Sequence, residues 1–269
     1  TKTDMTKRFF STLSILLIAL VGFAEGKAKY VFYFIGDGMG VNHVNAAETY
    51  LGALEGRIGI KELCFASFPN VGLVNTQSAT NGVTDSAAGG TALATGNKTK
   101  NGALGVLKDL TTPITSIAEW AQEADAAVGI TTSVSIDHAT PAAFYAHQDK
   151  RSAAYQIGLD LIETNFDFYA GSDFVDANNA QAKDGKTYES LYSLAEKAGF
   201  TIARGYKDYQ KKAKKADKMI LFQTEKASQK NNSSIPYAID RKKGDMSLAE
   251  ITRAGINFLS KDLSKGFFL

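Results

Sequence analysis

YVFYFIGDGMG, residues 30–40, holds six apolar, aromatic or β-branched residues that stop abruptly at Gly36. A run of that length and composition is expected to be a strand, Tyr30–Ile35, buried on both faces as in a parallel sheet. The residues after it, Val41–Leu54, have helical character, so the unit reads strand, glycine turn, helix. The same alternation continues along the chain. Strands are expected at Val71–Thr76, Ala127–Thr132, Phe166–Tyr169, Phe200–Ala203, Met219–Phe222 and Gly266–Leu269. Helices are expected at Ile117–Ala124, Ala153–Thr164, Tyr188–Lys197 and Leu248–Leu259. The pattern predicts an α/β fold with a mainly parallel central sheet and helices on both faces.

The 269 residues include 30 Lys and Arg against 28 Asp and Glu, for a net charge of +2. Residues 1–24 carry Lys2, Lys7 and Arg8 against Asp4, so the remainder is formally neutral. Whole-protein attraction to nucleic acid or to an anionic membrane therefore has no support. The basic stretch Lys207–Lys218 reads as a solvated helix face. Near the N-terminus, Lys7 and Arg8 precede an interrupted apolar run, Phe9–Phe23, with Gly22 and Ala24 at its end. That order reads as a secretory signal peptide, the alternative being a buried or interfacial helix. The run is too short and broken for a membrane span of roughly 20 apolar residues. Residues 1–24 are expected to be extension and signal, residues 25–269 the N-terminal part of one domain, and the protein exported to a periplasmic or extracellular space. Cys64 is the single cysteine, so no intramolecular disulfide can form.

Three groups of residues could carry chemistry. In Gly36-Asp37-Gly38-Met39-Gly40 the spacing is not that of a dinucleotide loop. A carboxylate at the centre of the turn would repel phosphate and suit a divalent cation, or else cap the next helix. In Thr84-Asp85-Ser86-Ala87-Ala88-Gly89-Gly90, a hydroxyl sits at an expected helix N-terminus, where backbone N–H groups favour an anion. Ser86 is then a nucleophile activated by metal rather than by a His base, or an ordinary N-cap. In Asp137-His138-Ala139-Thr140-Pro141, two residues spaced by one would share a face in extended backbone, or form a plain turn. Arg151 offers a planar fork suited to phosphate.

FIGDGMG (34–40), TDSAAGGTALATGNKTKNGALGV (84–106) and SIDHATPAAFYAHQDKR (135–151) together resemble the alkaline phosphatases. SLAEITRAGINFLSKDLSKGFFL (247–269) resembles the stretch before that family's second group of metal ligands. The resemblance implies hydrolysis of phosphate monoesters through a phosphoserine, with two zinc ions and one magnesium. Asp37 resembles the carboxylate that bridges a zinc and the magnesium, and Ser86 the nucleophile and metal ligand. Thr140 resembles a magnesium ligand and Arg151 the phosphate clamp, with Asp85 orienting it. His138 falls where members carry Asp or His, so the third site takes magnesium, or zinc or cobalt with imidazole. His147 matches a family position and is read as structural.

The resemblance also implies that the remaining ligands lie beyond Leu269, so this chain is expected to be an N-terminal portion, inactive alone. Small phosphate monoesters are the expected partners, and there is room for a homodimer. The alternatives at this point are a phosphodiesterase or sulfatase relative, a non-catalytic exported binding domain, and a nucleotide-binding enzyme using the Gly36 turn.

Overall fold

The computed structural model describes residues 28–269; the expected signal segment lies outside them. The described strands are β1 (Tyr30–Val31), β2 (Ala127–Thr131), β3 (Phe168–Gly171), β4 (Phe200–Arg204), β5 (Lys218–Phe222) and β6 (Phe267–Phe268). They form one sheet in the order β1-β6-β2-β3-β5-β4, and every pairing is parallel. The helices are α1 (Val41–Leu54), α2 (Ser86–Thr95), α3 (Ile117–Glu123), α4 (Ala139–Ala142), α5 (Ala154–Thr164), α6 (Leu191–Lys197), α7 (Tyr206–Lys212), α8 (Glu225–Lys230) and α9 (Leu248–Leu259).

Strand periodicity divides the core into two layers. Tyr169, Ile220, Phe222 and Phe268 point to one face, against Ala87 and Ala94 of α2, Ala118 of α3, Leu161 of α5 and Leu191 of α6. Their chain neighbours Phe168, Ala170, Met219, Leu221 and Phe267 point to the other, against Tyr209 of α7 and Ile251, Ala254 and Phe258 of α9. Successive strand side chains alternate faces, and both faces are covered, which is why these strands read as unbroken apolar runs. The basic stretch behaves as a solvated surface, with Lys207, Lys211, Lys214 and Lys215 exposed.

Two strand expectations need correction. The run Tyr30–Ile35 is a two-residue strand whose side chains are largely exposed, Phe34 by 76%. β1 is an edge strand, paired with β6 and with no strand on its other side among the described residues. Its ladder does continue as far as Tyr33, whose amide donates to the Leu269 carbonyl at 2.8 Å. Val71–Thr76 forms no strand, and Val71, Leu73 and Val74 are exposed. β-propensity describes a fit to a partner surface, and among the described residues this segment has no partner strand.

Helix α9 has the expected bounds. Ser247 accepts from the Glu250 amide while the Glu250 carboxylate accepts from the Ser247 amide, which closes a capping box. Ser247→Ala is expected to destabilise the fold by about 1 kcal/mol, read as a lowered Tm in a thermal melt; an unchanged Tm would show the cap to be idle.

Candidate active site

The carboxyl ends of β1 and β2 lead into the two loops that meet. Asp37, in the turn after β1, accepts a hydrogen bond at Oδ2 from Thr140 Oγ1 at 2.8 Å. Asp37 does not cap the next helix, because Gly40 is the N-cap of α1. The extended backbone expected for His138 and Thr140 is corrected as well. His138 is the N-cap of α4, and Thr140 lies inside that helix. Pro141 is tolerated in a first turn because its missing N–H would have had no intrahelical partner there. The two side chains are brought to the site by a helix start.

Asp85 holds the second half of the site together. Its Oδ1 accepts from the Ala88 amide at 3.0 Å, making Asp85 the N-cap of α2 and Ser86 the first helical residue. The reading of Ser86 as an N-cap is thereby overturned. Asp85 Oδ2 accepts from the Gly102 amide at 3.0 Å and from Arg151 Nη1 at 3.1 Å. Burial pushes the Asp85 carboxyl up, but the Ala88 and Gly102 amides and the Arg151 guanidinium outweigh it and leave it below its usual range.

Arg151 Nη2 also lies 3.5 Å from His138 Nε2. Arginine has no acceptor, so this ring nitrogen must accept, and His138 is held neutral. Burial and then the Arg151 charge push its imidazole down, against a smaller pull from Asp37. Side-chain bonds thus join Asp37 to Thr140 and Arg151 to both Asp85 and His138. The two groups meet as one network through the chain between His138 and Thr140 at the start of α4, and Ser86 joins through the chain at Asp85. Helix packing sets the spacing. A Cβ on Gly90 of α2 would meet Ala143 Cβ at 3.1 Å and Thr140 Cα at 3.5 Å, so glycine there lets α2 approach the segment that carries Thr140.

A cavity of about 390 Å³ opens beside Asp37 and Thr140, lined also by Tyr33, Phe34, Thr132 and Phe144. Ser86 and Arg151 lie outside its lining. Asp137 is buried next to His138, and its Oδ2 accepts from the Val175 amide at 2.8 Å. Burial pushes its carboxyl up to about 6, against the bond from the Val175 amide. His43 does not reach the network; its Nδ1 accepts from the Gly40 amide at the start of α1.

The donor types suit a metal in part. Asp37 and Thr140 offer hard oxygens of the kind magnesium takes, and His138 could offer its Nε2 lone pair only if Arg151 Nη2, 3.5 Å away, turned from it. His138 Nδ1 is buried and has no hydrogen-bond partner among the described residues. No cluster of three or more His, Cys, Asp or Glu able to hold a metal occurs among the described residues, so these side chains make up only part of a shell.

A family model for alkaline phosphatase matches residues 28–165, which span the three motifs and the whole network. The chain belongs to the alkaline phosphatase family. Alkaline phosphatase 4 of Drosophila melanogaster is 31% identical over 296 residues, covering 91% of this chain and 48% of its own length. The alkaline phosphatase of Schizosaccharomyces pombe is 29% identical, covering 90% and 46%. Among solved structures, the alkaline phosphatase of the Antarctic bacterium TAB5 superposes with a TM-score of 0.73 at 30% identity, covering 89% of this chain and 64% of that one. A histidine-to-glutamate variant of the TAB5 enzyme, solved with Mg bound in its M3 site, gives a TM-score of 0.72. This chain thus spans about half the length of the curated alkaline phosphatases it matches.

The glycines and carboxylates behind Arg151 are what sequence reasoning left unassigned. Gly102, Gly105, Glu119 and Asp160 bond the segment 147–151. Their one signal was that Gly102 and Gly105 fall inside the block 84–106 that carries the family resemblance.

Proposed function

We propose that the intact protein hydrolyses phosphate monoesters through a phosphoserine at Ser86. The supporting observation is the triple engagement of Asp85, which fixes the start of the Ser86 helix, the Gly102 backbone and the Arg151 guanidinium with one carboxylate. Ser86 Oγ attacks phosphorus in line as the bond to the leaving oxygen breaks, and the leaving alkoxide takes up a proton. Arg151 and the backbone amides at the start of α2 hold the phosphoryl oxygens, where charge spreads in the transition state. Water then attacks phosphorus from the opposite side, releases phosphate and restores the Ser86 hydroxyl. Two zinc ions and one magnesium, held in part by Asp37, Ser86, His138 and Thr140, would supply Lewis-acid charge that favours ionisation of the serine and offsets charge on the leaving oxygen.

Asp85 does not act on substrate in this scheme; it holds Arg151 in place for the phosphoryl group. The positively flanked apolar stretch in residues 1–24 directs the protein out of the cytoplasm. Among the described residues no helix is long and apolar enough to cross a membrane.

The intact protein, supplied with zinc and magnesium, should turn over an aryl phosphate monoester far faster than the matching diester. A chelator should abolish that turnover, and the two metals together should restore it. Preference for the diester, or indifference to chelation, would remove the reading. Arg151→Ala is expected to weaken inhibition by inorganic phosphate about tenfold, the loss of a charge-assisted hydrogen bond. Unchanged inhibition would remove Arg151 from phosphate binding.

A further inference from the structure

His147 sits between two acceptors. Its Nδ1 lies 2.7 Å from the Gly105 carbonyl and its Nε2 3.3 Å from Glu119 Oε1. A carbonyl and a carboxylate can only accept, so both ring nitrogens must carry hydrogen, and only the imidazolium meets that demand. The ring also joins two backbone segments. Leu104 and Gln148 exchange amide-to-carbonyl bonds at 2.8 and 2.9 Å, and the Arg151 amide donates to the Gly102 carbonyl at 2.6 Å. Gly102 in turn donates to Asp85, and the Gly105 amide donates to Thr91 Oγ1 of α2 at 3.1 Å. The segment 102–106 is therefore a strap between the Ser86 helix and the Arg151 segment, and His147 bonds it at Gly105.

We infer that charged His147 is a positioning residue for Arg151, clamping this strap so that phosphate is held tightly while the imidazolium persists and released more readily once it is lost. The inference rests on the phosphate-binding role proposed for Arg151. The charged groups facing the ring are Glu119 of α3 and Asp160 of α5, both acidic. Asp160 Oδ2 accepts from the His147 amide at 3.0 Å and from Gln148 Nε2 at 2.7 Å. The Glu119 bond, opposed by burial and helped by the Gly105 carbonyl, holds the imidazole above its usual range. A group whose folded pKa is raised contributes fully below its unfolded value and loses that contribution as pH rises through the folded one. Above that point Nδ1–H keeps the Gly105 bond, while a lone pair on Nε2 faces the Glu119 carboxylate and the clamp opens.

The test uses the intact metal-loaded protein. The His147 imidazole signal, assigned as the one lost in His147→Gln, can be followed by NMR against pH. His147 should titrate above the ordinary value of about 6.5, and Glu119→Gln should lower it. Inhibition by inorganic phosphate should weaken about fivefold across the His147 inflection, with KM changing more than kcat. In Glu119→Gln that inflection should move with the His147 signal. His147→Gln, which keeps a donor but cannot titrate, should lack it. A His147 signal at or below the ordinary value, or a phosphate inflection that ignores Glu119→Gln, would overturn the inference. The NMR titration does not depend on turnover, so a failure of the phosphatase reading would be visible separately as absent monoester hydrolysis.

Discussion

Ser86→Ala in the intact protein will lower phosphate monoester turnover by about three orders of magnitude or more, because the group that takes the phosphoryl is gone. Bound zinc and magnesium, measured by elemental analysis, should change little, since Asp37, His138 and Thr140 do not contact the fold through Ser86. The melting temperature should also be nearly unchanged. Asp85, not Ser86, accepts the capping bond of α2, and among the described residues no hydrogen bond from the Ser86 hydroxyl holds that helix start. Turnover near the wild-type level would end the assignment of Ser86, and loss of metal together with turnover would make it a ligand first.

Gly105→Ala is expected to be the most damaging single methyl group in the site region. Gly105 has φ +56°, a left-handed conformation that disfavours a side chain. A Cβ there would fall 2.1 Å from the Ala146 carbonyl oxygen and 2.9 Å from His147 Nδ1. The first of those atoms is backbone and cannot rotate away, so the strap must shift. Strain and displacement together should cost about 3 kcal/mol, which for a chain of this size lowers Tm by roughly 6–10 °C. Phosphate affinity should fall as well, because the strap carries the Gly102 carbonyl that holds the Arg151 amide. A variant with the wild-type melting temperature and phosphate affinity would show that the strap gives way freely.

The sheet's centre was readable because its strands are covered on both faces, which makes the apolar run a direct record of burial. Ala127–Thr131 and Lys218–Phe222 lie within a residue of expectation, and α1 and α9 have the expected bounds. The same cue misleads at Tyr30–Ile35 and Val71–Thr76, where apolar residues face outward in the described structure. An apolar residue records that something should cover it, not that a neighbouring strand does. Local chemistry also leaves adjacent candidates undecided. Asp85 and Ser86 are both good N-caps, and only the reach of Asp85 Oδ1 to Ala88 selects between them. Thr140 precedes a proline, which biases it towards extended backbone, yet the helix start at Ala139 accommodates Pro141 in its first turn.

The strap behind Arg151 was illegible for a different reason. Gly105 and His147 lie 42 residues apart, and nothing in either segment names the other. His147 read alone is a structural histidine, and so it is in its contacts. Its significance comes from the acceptor on each ring nitrogen, which no sequence pattern encodes. The family motifs made Asp37, Ser86, Thr140 and Arg151 legible as candidates and paired Asp85 with Arg151, while the contacts of Arg151 with His138 and of Asp37 with Thr140 belong to the folded chain.

Acid quenching of the intact metal-loaded protein during incubation with a phosphate monoester, followed by peptide mass spectrometry, tests the phosphoserine directly. The peptide bearing Ser86 should carry one phosphoryl group, and Ser86→Ala should carry none at any residue. A phosphoryl group on another side chain, or monoester hydrolysis at full rate with Ser86 never modified, would contradict it.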